Sequence, residues 1–261
     1  MNKEQVDQEG LKTRGDILKA VNDLYDESSR EDALTVLSEL KCDTATRCIC
    51  LYNSFGIVTI LQQEILQGYK YIAGNEIPPQ AEKRLCNALT IIRSLVSSPD
   101  LASRFLNSYI LYYIGPLIES VNPRFVNIRK LCLAVYLEVS MHKDRNGDME
   151  VTFVNQSLIS VCLNVFKSVK TSERTIILMI LYNIISNVHA LTKMMNNPRY
   201  SKLIMEVMVI CQVDGLKNKE AAGQKENTST LDNYWNTIKN YLYNNKYENF
   251  VESMLRSIKE A

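Results

Sequence analysis

The chain has 261 residues, 46% of them apolar, enough to bury a large core in one generous domain or two small ones. Lys and Arg (30) nearly cancel Asp and Glu (29), so no global field recruits a polyanion, and a nucleic-acid surface would have to be a local patch. The longest charge-free runs, such as TIILMILYNII from Thr175, fall short of the roughly 20 residues of a membrane span, and the start MNKEQVDQEG lacks an apolar signal core; a soluble, intracellular protein is expected.

Helical periodicity dominates, and the few Gly and Pro fall mostly at run boundaries. The first 15 residues read as a loosely attached segment, with a single domain over 16–261. Ser28-Ser-Arg-Glu31 has the form of a capping box, a hydroxyl with a Glu three residues on, and the apolar positions Ala33, Leu34, Val36, Leu37 and Leu40 follow. Cys42, Cys48 and Cys50 form the one tight thiol cluster. No second Cys or His pair accompanies it, and His142 and His189 are remote, so structural thiols are expected and no metal or cofactor. Cys86, Cys132, Cys162 and Cys211 lie inside apolar runs, where a free Cys packs as a small hydrophobe.

Further helices are predicted over Leu51–Leu66, Arg84–Val96, Tyr109–Val121, Ile128–Met141, Leu158–Val169, Thr175–Ile185, Leu203–Val213 and Tyr234–Tyr243. Ser98-Pro99-Asp100 marks another start, with Pro at the first helical position and an acid in the first turn. Tyr109, Tyr112 and Tyr113 would stack bases if exposed, but no basic residue interleaves them, so core packing is expected. DRNGDMEVTF, from Asp144, lacks the Gly and closing Glu of a calcium loop and reads as a polar turn. Trp235 sits at an apolar helical spacing and reads as core, and His189 as a surface or capping residue. Gly215–Thr230 has almost no large apolar residue and reads as a flexible loop. No GxxxxGK[ST], HExxH or GxSxG motif is present, and a non-enzymatic protein is expected.

Three of the helices align: RLCNALTIIRSL at Arg84, RKLCLAVYLEVS at Arg129 and RTIILMILYNII at Arg174, successive starts being 45 residues apart. Counted from each Arg, offsets two, four, five, seven and eight are apolar, and offset nine is polar (Arg93, Glu138, Asn183). Shorter helices recur before them, IGPLIESV near Ile114 and CLNVFKSV near Cys162. A repeat of this length built from two or three helices is the armadillo/HEAT signature, whose long inner helices line a concave, peptide-binding surface. Two readings of Arg84, Arg129 and Arg174 stay open. They form a basic ladder in that surface, or each caps a neighbouring helix's carbonyls or pairs with a nearby acid. If they are a ladder, Arg84→Glu with Arg129→Glu abolishes peptide capture and leaves stability unchanged.

Several motifs carry a more specific resemblance: Tyr52 followed by Ser54-Phe55-Gly56, Gln63-Glu64-Ile65, Pro78-Pro79, Arg84-Leu-Cys-Asn-Ala-Leu89, the S-x-P then R-x-F-L run, and Phe125 with Arg129. In these the chain resembles the armadillo-repeat "required for cell differentiation" or Caf-forty family, an armadillo subunit of the CCR-NOT deadenylase complex. The similarity is good from about Ser29 to Met141 and fades through Asn197. It implies an all-α, right-handed armadillo solenoid of about six stacked repeats. It also implies a non-enzymatic scaffold acting in the cytoplasm, and also the nucleus, in mRNA decay, translational repression and transcription regulation. The partners implied are the complex's large scaffold subunit and short helical or Trp-containing peptides of repressor proteins; weak single-stranded nucleic acid and a homodimer stay open, and no membrane is implied. By position the family's groove maps onto Asn53, Phe55, Thr59, Arg84, Asn87, Asn127, Arg129, Thr175 and Ile176, the family having His at position 53 and an aromatic at 127.

Overall fold

A computed structural model describes residues 15–39, 50–74, 76–120, 122–143, 148–221, 230–244, 247, 249 and 251–252. Cys42, Cys48, most of the polar turn at 144–147, the later part of the loop at 222–229 and the side chain of Trp235 lie outside the described residues. Among those described, every regular element is helical. The chain divides into two compact units, one up to His142 and one from Lys143 onwards.

In the first unit α1 covers 15–23, followed by α2 (Arg30–Glu39), α3 (Ile57–Gln67), α4 (Pro79–Val96), α5 (Pro99–Asn107), α6 (Gly115–Glu119) and α7 (Val126–Met141). The long helices α2, α4 and α7 pack side by side with α4 in the middle. Its place follows from its sequence. Leu85, Ala88, Leu89, Ile91, Ile92, Leu95 and Val96 are all buried, so apolar side chains cover more than one face and a neighbour is needed on each flank. Each fully buried Leu or Ile contributes about 1.5–3 kcal/mol of transfer free energy. The matching positions of α7, Cys132, Leu133, Val135 and Tyr136, are buried too, and Tyr136 donates its hydroxyl to the Leu111 carbonyl at 2.8 Å.

Several boundaries differ from the sequence expectation for identifiable reasons. The Ser28 capping box does not form. α2 starts at Arg30, and the amide and hydroxyl of Ser28 donate instead to the Asp26 carboxylate at 3.1 and 2.6 Å. Those bonds hold the Asp26 carboxyl below its usual range. The predicted helix Leu51–Leu66 is broken, because Gly56 adopts φ +73° and resets the chain direction before α3. α4 begins earlier than Arg84, at the second proline of the Pro78-Pro79 pair, with Pro79 at the first helical position. The predicted helix Tyr109–Val121 is replaced by turns, a 3-10 segment Tyr112–Ile114 and the short α6. Tyr109, the first residue of the predicted helix, has φ +61° and belongs to the turn that follows α5. Its ring and that of Tyr112 are exposed rather than packed in the core. The Ser98-Pro99-Asp100 start of α5 is as predicted.

The turn after α3 shows what close packing demands. A Cβ on Gly68 would lie 2.8 Å from Leu85 Cδ2 and 3.4 Å from Leu117 Cδ2. Gly68→Ala is therefore expected to lower stability by about 1–3 kcal/mol, the usual range for overpacking. An unchanged urea midpoint would show that Leu85 moves aside without strain.

The second unit contains α8 (Asp148–Asn155), α9 (Leu158–Val165), α10 (Thr171–Ile185), α11 (Val188–Met195), α12 (Pro198–Ala221) and α13 (Thr230–Asn244). Its long helix α10 packs against α13. Asn187 caps α11 by accepting from the amides of His189 and Ala190, which leaves His189 exposed in the first helical turn. α12 runs past Gly215 to Ala221, where the sequence suggests a loop, because Leu216–Ala222 is made almost wholly of helix-favouring residues and one Gly lowers helicity without ending it. Cys132, Cys162 and Cys211 are buried and form no disulfide, in keeping with packing roles.

Candidate functional site

Each of the three aligned arginines reaches into a joint between neighbouring elements of its own unit. Arg84 leaves the first turns of α4 and grips Glu64 of α3 through two hydrogen bonds, Nε to Oε2 at 3.1 Å and Nη2 to Oε1 at 2.7 Å. Glu64 is 3% exposed. A carboxylate at that depth needs this charge-assisted, two-point partner. The hydrogen bonds to Glu64 also push the Arg84 guanidinium above its usual range. Arg30, at the head of α2, approaches the same carboxylate at 3.6 Å and donates to the Leu24 carbonyl at 2.9 Å.

Arg129 and Arg174 share a different arrangement. Arg129, 8% exposed, donates through Nε to the Ile118 carbonyl at 2.9 Å and through Nη2 to the Ser120 carbonyl, closing the end of α6. Arg174 does the same for α9, donating to the Phe166 and Lys167 carbonyls at 3.0 Å each, with its guanidinium over the Phe166 ring. The last carbonyls of a helix lack intrahelical partners and carry its negative dipole end, so a guanidinium is well suited to both. In each unit the arginine at the head of a long helix thus holds the end of the short helix before it. Arg30, which secures the chain just after α1, belongs to the same scheme. Sequence alignment misses it because α2 starts outside the 45-residue register. Glu64 is missed for a related reason, since one acid in an apolar run carries no signal of its partner.

The other mapped positions are better placed to meet a ligand. In the first unit Asn53, Phe55 and Thr59 lie on the turn before α3 and its first turn, and all three are exposed. Phe55 is 92% exposed, yet its backbone is not loose: the Tyr25 hydroxyl donates to its carbonyl, and Gly56 fixes the turn. Neither the Tyr25 contact nor the degree of exposure is legible from the motif. Asn87 links α4 to α2 through Thr35 Oγ1 at 3.0 Å, and Asn127 links α7 to α4 through Glu82 Oε1 at 3.3 Å. These two amides stand on the edge of the α2–α4–α7 row, where Cys86 is also half-exposed with its thiol pushed up to about 11 by burial. In the second unit Thr175 and Ile176 are half-buried in the first turns of α10, the Thr175 hydroxyl donating back to the Thr171 carbonyl.

A cavity of about 300 Å³ opens beside the Arg84–Glu64 pair. Glu31 of α2, Lys70 and Tyr71 after α3, and Gln80 of α4 line it, so it is a polar recess with both signs of charge. Among the described residues that line it, no Ser, Thr, Cys or His is present. What these positions of the first unit offer chemically is a set of amides, the projecting Phe55 ring and a polar hollow with both signs of charge, groups of the kind used in recognition.

Residues 20–228 match the model of the cell differentiation family, Rcd1-like. Over 155 residues the chain is 24% identical to the cell differentiation protein rcd1 of Schizosaccharomyces pombe, a match covering 59% of this chain and 54% of that protein. Over 158 residues it is 23% identical to protein CAF40 of Saccharomyces cerevisiae, covering 60% of this chain and 42% of that one. The chain thus spans about half the length of these curated relatives. Among solved structures, an engineered protein determined as a Northeast Structural Genomics Consortium target superposes with a TM-score of 0.55 at 12% identity, over 94% of this chain and 97% of that one, a likeness of fold.

Proposed function

Because the chain belongs to the Rcd1-like cell differentiation family, we propose that it is a non-catalytic adaptor subunit of the CCR-NOT deadenylase complex, acting in mRNA decay and translational repression in the cytoplasm and the nucleus. It docks on the large scaffold subunit of that complex and presents peptides of repressor proteins to it. The observation that carries this reading is the family match over residues 20–228, most of the described chain. The exposed amides and aromatic ring of the first unit support peptide capture. A basic-ladder role in binding nucleic acid has less support, since Arg84 is engaged by a carboxylate and Arg129 and Arg174 by carbonyls.

The test of complex membership is affinity purification with mass spectrometry from gently lysed cells. Recovery of deadenylase subunits is expected, and their absence would sink the proposal. For the peptide surface, Phe55 is the expected anchor. An aromatic hot spot contributes about 2 kcal/mol or more, so Phe55→Ala should weaken peptide capture about 30-fold. Because the ring is 92% exposed, thermal stability should stay within about 0.5 kcal/mol of the parent. Undiminished capture by the variant would move the peptide site elsewhere.

A further inference from the structure

The cavity beside the Arg84–Glu64 pair carries two charges of opposite sign that the fold itself does not use. Glu31 of α2 and Lys70 of the 3-10 segment Gly68–Tyr71 both line it. Among the described residues neither enters a salt bridge, and although they share one recess they do not meet each other. The Glu31 charge is felt by Arg84, but that guanidinium is already committed to Glu64 through two hydrogen bonds. The Lys70 ammonium rests over the Tyr71 ring, 4.9 Å from its centroid, a contact that holds it in place and leaves it donors for an anion.

The walls that bear these charges are pinned from outside the cavity. The Tyr69 hydroxyl donates to the Tyr113 carbonyl at 2.6 Å, and burial pushes that hydroxyl up to about 12, so it remains a donor across physiological pH. Asn122, 4% exposed, donates through Nδ2 to the Tyr71 carbonyl at 3.2 Å and to the Gly74 carbonyl at 2.5 Å. The segment carrying Lys70 is therefore tied down on both sides of that residue. On the facing wall, the first backbone bond of α4 runs from the Glu82 amide to the Pro78 carbonyl at 3.0 Å, and Pro79 has no N–H. The amides of Gln80 and Ala81, two further lining residues, thus have no acceptor within the helix and carry the positive end of its dipole.

These groups set the chemistry of an occupant. A molecule that bears a carboxylate and an ammonium satisfies both unused charges, its carboxylate taken by Lys70 and the α4 amides and its ammonium by Glu31. A lone anion would also face the Glu31 carboxylate, and a lone cation would also face Lys70. The Gln67 and Gln80 side chains complete the polar lining and suit an uncharged side chain that both donates and accepts. A volume of about 300 Å³ stands at the lower end of small-ligand pockets, roughly 300–1,000 Å³, the scale of one free amino acid.

We propose that this cavity binds a free α-amino acid with a neutral polar side chain, held as its zwitterion between Lys70 and Glu31. The probe is L-glutamine, titrated into the full chain by isothermal calorimetry. Saturable one-to-one binding with a dissociation constant of about 0.1–1 mM is expected, the range open to a ligand of about ten non-hydrogen atoms. Lys70→Met and Glu31→Gln each remove one charge from the wall and should weaken binding about tenfold or more, with the melting temperature of the ligand-free protein unchanged. Removing the matching charge from the probe, in L-glutaminamide or in N-acetyl-L-glutamine, should weaken binding by as much. Absence of saturable L-glutamine binding, or binding unaltered in both variants, overturns the proposal. So does acetate binding as tightly as L-glutamine, which would make the recess a plain anion site. Co-purification of deadenylase subunits tests the adaptor role on its own and is expected to be the same for the parent and both variants.

Discussion

Arg84→Met is expected to destabilise the first unit by about 3 kcal/mol, the scale seen when one partner of a buried ion pair is removed and the other is left behind. The stranded group is Glu64, 3% exposed, whose remaining cation, Arg30, lies 3.6 Å away and is shared with the Leu24 carbonyl. Urea unfolding of the full chain measures the loss. The double variant Arg84→Met with Glu64→Leu should recover most of it, because a well-packed apolar pair often matches a buried ion pair in stability. Recovery in the double variant identifies charge desolvation as the cause. A single variant as stable as the parent would mean that water reaches Glu64 and that Arg84 is available to ligands.

Arg129→Glu should do more damage, about 4 kcal/mol or more, with loss of helical signal and a broadened thermal transition. The substitution replaces a cation with an anion at a position 8% exposed, and it aims a carboxylate at the carbonyl oxygens of Ile118 and Ser120. Arg129→Met should fall between this variant and the parent, since it removes the donors without adding a buried charge. Circular dichroism melts of the three proteins give the order. The double charge reversal at Arg84 and Arg129, expected from a ladder reading to spare stability, is instead expected to unfold the first unit. Its effect on capture would then say nothing about a groove. An Arg129→Glu protein that melts with the parent would restore the ladder reading.

The long helices were the legible part of this fold. α4, α7 and α10 announce themselves through repeated apolar offsets after Arg84, Arg129 and Arg174, and the all-α repeat class follows from them. What periodicity could not supply was the break at each turn that depends on one backbone angle. Gly56 sits inside an apolar run that reads as one continuous helix, and its left-handed conformation interrupts it; Tyr109, the first residue of another predicted helix, takes the same conformation. At the candidate site, the motif around Phe55 falls on an exposed turn. Its presentation depends on Tyr25, 30 residues earlier, a pairing that no local pattern encodes. The arginines were located correctly while their partners were hidden, because a guanidinium's choice between a solvent-lined groove and a helix end is made by tertiary packing.

Those arginine caps have a consequence for how the molecule comes apart. A short helix such as α6 or α9 would ordinarily lose its last turn in brief, independent excursions. Here that turn is bolted to the first turn of the next long helix, through Arg129 in one unit and Arg174 in the other. The end of one element cannot open while the start of the next stays shut. For these two helices fraying is thereby traded for opening in pairs, the short helix together with the first turn of the long helix that follows it.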